Sequence, residues 1–187
     1  MELKCCDEYG ITVARKAHKY VINSMSVDLG RHFIAGNSIP CPVDVLDTII
    51  ELAYSCNLVL EDDTQGTNLG YLLDIASKFK MNVLKMKLSQ YMLSNLTMDT
   101  ALQYFNQASS NGFCPKDIHV IRAFILKKNF MDLNRLSAGF SSISDMDLES
   151  FVMDDNLGLK EKDLFNLILE WTNNDFPDRQ FLFKHVR

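Results

Sequence analysis

The chain has 187 residues, 47% of them hydrophobic and 23% charged, an ordinary globular composition with length for one domain or two small ones. Its net charge is −5, with Lys and Arg scattered among acids, so it lacks the clustered cations that neutralise nucleic-acid phosphates. No apolar stretch approaches the ~20 residues that span a bilayer, no secretory signal is visible, and five cysteines, an odd number, read as reduced thiols in a cytoplasmic or nuclear protein.

Met1–Cys6 and Ile11–Ala14 flank Asp7-Glu8-Tyr9-Gly10, a turn-like segment that predicts a β-hairpin. Helical spacing follows. His18–Met25 predicts a short helix, and Ser26 is placed to cap a further turn and a half ending near Phe33. Ile34–Pro42 holds Gly36, Asn37, Ser38, Pro40 and Pro42, which predicts a loop or a short strand. From Asp44 onward, Leu46, Ile49, Ile50, Ala53 and Tyr54 recur at three- and four-residue spacing and predict one buried helical face. Glu61–Thr67 reads as a polar loop. Asn68 reads as the N-cap of a helix with the stripe Leu69, Leu72, Leu73, Ala76 and Phe79. Met81–Leu93 continues with Val83, Leu84, Leu88, Tyr91 and Met92, and Leu96 closes this block.

A second helical block follows. Ala101, Leu102, Phe105 and Ala108 share one face, and Pro115 suits the first turn of the next helix. Ile118, Ile121, Phe124, Ile125 and Phe130 form another face, after which Leu136–Ser144 is serine-rich and less regular. Asp145–Asp154 and Lys160–Asn174 are the last predicted helices, the latter with Leu164, Phe165, Ile168, Leu169 and Trp171. No fixed repeat period runs through them. The expected fold class is mainly α with a small β-sheet: a small α/β unit, then a helical bundle, with a boundary near Leu96.

Chemistry-bearing patterns are sparse. Zinc sites need ligands in short-spaced pairs, whereas Cys5-Cys6 is adjacent and the other Cys and His residues are dispersed, so no metal is expected. Glu61-Asp62-Asp63 lacks the alternating ligand spacing of a calcium loop and reads as a solvated turn. Gly66 and Gly70 do not make a phosphate-cradling loop, and Cys114 before Pro115 reads as a helix start. No cofactor and no catalysis are expected. A cysteine-dependent hydrolase is the competing class, and it requires Cys and His to converge in one cleft.

Four segments, in order, carry a resemblance: AHKYVINSMS (Ala17–Ser26), SVDLGRHF (Ser26–Phe33), IIELAYS (Ile49–Ser55) and NLGYLLDIA (Asn68–Ala76). Together they resemble the BTB (POZ) fold. DNLGLKEKDLFNLILEW (Asp155–Trp171), then Arg179 and the closing His185–Arg187, resembles the BACK domain that follows BTB in kelch-like ubiquitin-ligase adaptors. The resemblance implies a BTB/POZ-like domain over 1–96, lacking the family's first helix, and a BACK-like domain over 97–187, incomplete at its C-terminal end. It implies a substrate-recruiting adaptor of a cullin-3 type ligase, whose partners are the cullin scaffold, a second BTB domain (homodimer or heterodimer) and a protein substrate. It also implies that His18 is buried at a strand–helix junction, and that Phe33 and Tyr54, with His32, lie near the cullin-facing surface. An aromatic anchor there would cost about 2 kcal/mol of binding when truncated. Two departures set up an alternative. The Phe33–Ile39 connection is short and holds no acidic residue where cullin-binding relatives carry a hydrophobic-x-Glu motif, and no kelch repeats follow. The alternative is a truncated BTB–BACK scaffold or competitor, cytoskeletal or transcriptional, without a ligase role.

Overall fold

Leu3 and Cys5 turn inward while Glu2 faces water, and this alternation makes β1 (Glu2–Cys6) half of a hairpin with β2 (Thr12–Lys16). The protein is seen here as a computed structural model that describes residues 1–60, 67–127, 143–154 and 159–172. The hairpin turn is held by the Asp7 carboxylate, which accepts from the N–H groups of Tyr9 (3.0 Å) and Ile11 (2.8 Å). Gly10 supplies the left-handed φ of 80° that the turn demands. β3 (Ser38–Pro40) then pairs parallel to β1, with Ile39 opposite Cys5, giving the strand order β2-β1-β3. Among the described residues, β2 is paired along one side only.

Helices α1 (Lys19–Met25) and α2 (Val27–Ile34) meet at Ser26. As the sequence predicts, its hydroxyl caps α2, accepting from the Leu29 N–H at 3.1 Å. The same hydroxyl donates to the Phe79 carbonyl at 2.6 Å, a long-range contact with no local signature. Gly30 lets the two helices approach. A Cβ there would come within 2.9 Å of Asn23 Cγ and would run into Asn23 Oδ1.

Helix α3 (Val43–Ser55) packs against β1 and α1, burying Val45, Leu46, Ile49 and Leu52. The expected face through Ile50, Ala53 and Tyr54 is therefore rotated. Val45 and Leu52 extend an equally good helical stripe, and that is the stripe the sheet covers. Helix α4 (Thr67–Lys78) starts one residue ahead of Asn68, which lies inside its first turn rather than at its N-cap. Leu69, Leu72, Leu73, Ile75 and Ala76 are buried, followed by Phe79 and Met81. In α5 (Asn82–Ser94), Leu84, Leu88 and Met92 are buried as expected, but Val83 is exposed on the other side. The Glu61-Asp62-Asp63 run lies outside the described residues.

The chain divides into two compact units, Met1–Tyr91 and Met92–Arg187; the sequence places its division after Leu96. In the second unit, α6 (Met98–Ser110) opens with the Thr97 N–H donating to Thr100 Oγ1 at 3.0 Å and buries Ala101, Leu102, Tyr104, Phe105 and Ala108. It packs on α7 (Pro115–Lys127), whose Ile121 and Ile125 are buried. Helix α8 (Asp145–Val152) is capped by Ser144, which accepts from the Asp147 N–H at 3.1 Å. Its Phe151 ring meets Phe105 edge to face, with centroids 4.9 Å apart. Arg122 of α7 clamps α8 through Ser150 Oγ (2.7 Å), the Ser150 carbonyl (2.7 Å) and Asp154 Oδ2 (3.0 Å), while its guanidinium lies 4.6 Å from the Phe151 centroid. In α9 (Glu161–Thr172), Leu167, Ile168 and Trp171 are buried. Phe165 and Leu169, expected on the same face, are instead partly exposed. Phe130, Arg179 and His185–Arg187, together with most of the serine-rich stretch, fall outside the described residues. The fold is mainly α with a small three-stranded sheet, as the sequence predicts.

Candidate partner-binding surface

The strand–helix junction at His18 is organised by Tyr54, thirty-six residues further on. The Tyr54 hydroxyl accepts from the His18 backbone N–H at 2.8 Å and lies 2.7 Å from His18 Nδ1. A phenol has one proton. It donates to Nδ1 in the Nε2–H tautomer of the ring and accepts from Nδ1–H in the other, so the contact is kept in both. His18 hydrogen-bonds to Tyr54 at the junction, and it is exposed rather than buried.

His32 lies on α2 between two rings. Its ring is edge-on to Phe79 (centroids 5.0 Å apart) and to Phe33 (5.8 Å), and Nε2 reaches the Ser38 carbonyl at 3.1 Å. A carbonyl only accepts, so Nε2 of His32 carries the proton. The three residues named from the sequence thus have different fates. Phe33 is 5% exposed and its ring belongs to the core. His32 is half-buried and pinned to the start of β3. Tyr54 is 49% exposed and tied to His18. His32 and Phe33 touch each other, and Tyr54 belongs to a separate pair.

The helical hairpin exposes an apolar patch that the sequence reading missed. Tyr20 is 86% exposed, and Val27 and Ile34 are more than half exposed. Val27 and Ile34 are seven residues apart, so they leave α2 on one side, the side that also carries Gly30. Tyr20 stands one turn ahead of Asn23, the residue resting on Gly30. The patch therefore straddles the α1–α2 contact. Read as period alone, these residues look like ordinary helix-face positions, and only the packed structure shows that they are exposed among the described residues.

Two thiols lie beneath the sheet. Cys5 and Cys41 are both 1% exposed. Burial pushes the Cys41 thiol up to about 12, helped by the adjacent Cys5, and burial likewise pushes Cys5 up. Both are held as neutral thiols, the form that is a poor nucleophile and a poor metal ligand. Across β2 and α3, Arg15 grips Asp47 with two bonds, Nε to Oδ1 at 2.7 Å and Nη2 to Oδ2 at 2.9 Å. That fork holds the Arg15 guanidinium protonated, first through the hydrogen bond and then through the Asp47 charge. Among the described residues, no three His, Cys, Asp or Glu side chains gather as a metal site. No helix among them is long and apolar enough to cross a membrane.

Comparison with known families adds one finding. Residues 101–187, from the first buried turn of α6 to the last residue, match the family described as BACK: BTB And C-terminal Kelch.

Proposed function

We propose, with the BACK match over residues 101–187 as the premise, that the chain is a non-catalytic adaptor whose first unit is BTB-like and recruits a cullin-3 type scaffold. The match is the single observation that carries this reading, because BACK domains are described by their place between BTB and kelch modules. The mechanism is positional. A substrate held beside a ubiquitin-charged enzyme reacts at a raised effective concentration, and no side chain of the adaptor does chemistry. The absence of a catalytic role for this chain is part of the proposal.

Within the first unit, Tyr54 is the best-placed of the three cullin-facing candidates, since its ring is half exposed and its hydroxyl is anchored by His18. His32 contributes at the rim, and Phe33 supports it from below. The exposed Tyr20, Val27 and Ile34 favour the same unit as the place of self-association, as homodimer or heterodimer. The protein substrate would be held by other parts of the assembly, in the cytoplasm or nucleus.

Isothermal calorimetry against the N-terminal fragment of a cullin-3 type scaffold tests the ligase role. Binding at or below tens of micromolar is expected, and Tyr54→Ala should weaken it by about 2 kcal/mol. An absence of heat at those concentrations removes the ligase role. That result would leave the second reading, a BTB–BACK scaffold or competitor, which the short Phe33–Ile39 connection without an acidic residue favours.

A further inference from the structure

Helix α4 presents Tyr71, Asp74, Ile75 and Lys78 at positions i, i+3, i+4 and i+7, a single face. Two cavities open along it, and Tyr71 lines both. One, about 260 Å³, has Cys5 and Val13 from the sheet, Val43 from α3, and Tyr9 and Ile11 from the hairpin turn. The other, about 340 Å³, lies between Ile39 and Pro40 of β3 and the α4 face. The Tyr9 side chain is 81% exposed and Ile11 is also well exposed, so two large apolar groups stand in water at the mouth of the first cavity. The charged residues lining the pair are Asp7, Glu8 and Asp74 against Lys78, a net negative rim. The Tyr9 phenol reports that potential: it is pushed up, first by the Glu8 charge and its hydrogen bond, and lastly by Asp7.

We infer that these two cavities form one docking groove for an extended peptide segment of a partner protein, with apolar side chains seated on either side of Tyr71 and Lys or Arg residues facing Asp7, Glu8 and Asp74. Two observations select this occupant. The cavities are apolar within and separated by one aromatic ring, which suits alternate side chains of an extended strand. The rim is acidic, so cationic flanking residues meet opposite charge and acidic ones are repelled. The groove is distinct from the His32 and Tyr54 positions and does not depend on a cullin role.

The test uses the full chain and two fluorescein-labelled nine-residue peptides, one alternating Leu with Lys and its twin carrying Glu for Lys. At low salt the Lys peptide is expected to bind with a Kd of roughly tens of micromolar, at least about tenfold tighter than the Glu peptide. Salt should weaken it. Amide shifts in NMR should move at Ile11, Val13, Tyr71 and Ile75, and Tyr71→Ser should weaken binding about tenfold. Tyr9→Ser, at a largely exposed side chain, gives the same readout should Tyr71→Ser fail to fold. Equal affinity for both peptides, shifts mapping elsewhere, or no binding at millimolar peptide would overturn the inference. So would a dimer in light scattering that Tyr9→Ser abolishes, since the occupant would then be a second copy.

Discussion

Ser26 shows how much one hydroxyl can hold in this fold. It caps α2 and, through Phe79, ties that cap to the end of α4. Ser26→Ala leaves a helix N–H and a carbonyl unpaired in a buried place, so a loss of roughly 1–3 kcal/mol in urea denaturation is expected. The thiols make a second residue-level case, with the sign fixed by their upward shift. The folded chain keeps protons on Cys5 and Cys41 that the unfolded chain releases near the ordinary thiol value of 9.0. Their contribution to stability is complete below that pH and is lost as pH climbs toward about 12. Stability should therefore be flat with respect to these thiols at neutral pH and fall above it, and Cys41→Ala should flatten the alkaline limb. Alkylation followed by mass spectrometry gives an independent check. Cys56 and Cys114, both exposed, should label well before Cys5 and Cys41.

Between elements, the contacts that decide packing are the ones a one-dimensional pattern hides. The hairpin, the Ser26 cap and the stripes of α4 and α6 were legible, because turn chemistry, capping and helical period are local properties. The α3 face was misread, since its sequence carries two overlapping apolar stripes and only the sheet chooses between them. The parallel β1–β3 pairing, the Tyr54 hydroxyl at His18 and the Arg15–Asp47 fork each join distant stretches, for which a single sequence offers no signal. For the candidate surface residues, the sequence carries identity but not exposure. Aromatic identity pointed to Phe33 and Tyr54, but burial, which sends one to the core and leaves the other half in water, depends on the tertiary fold. Two substitutions probe the element level. Gly30→Ala gains helix propensity but forces Asn23 aside, so it should destabilise by about 1 kcal/mol alone and turn favourable in an Asn23→Ala background. Arg122→Lys keeps the charge and loses the planar fork over Phe151, which should cost roughly 1–3 kcal/mol in the second unit.

For the whole molecule, the exposed Tyr20, Val27 and Ile34 predict association with a second surface. Light-scattering mass measured over a range of concentrations should reveal self-association, and Ile34→Ser combined with Tyr20→Ser should suppress it without loss of helical signal. Both side chains are largely in water, so their removal costs little folding energy. A mass that stays monomeric in the unsubstituted chain would transfer the patch to a heterologous partner.

The outer margin of β2 carries one last implication, for behaviour in concentrated solution. Unpaired among the described residues, its backbone donors and acceptors on that side form a template for a stray strand from a neighbouring chain. Arg15 and Lys16 guard it, and Asp47 holds the first of them in place. Neutralising the exposed Lys16, which takes no part in the Arg15–Asp47 fork, should shorten the shelf life of the protein before it changes its melting temperature, because such a lesion acts through encounters between molecules rather than within one.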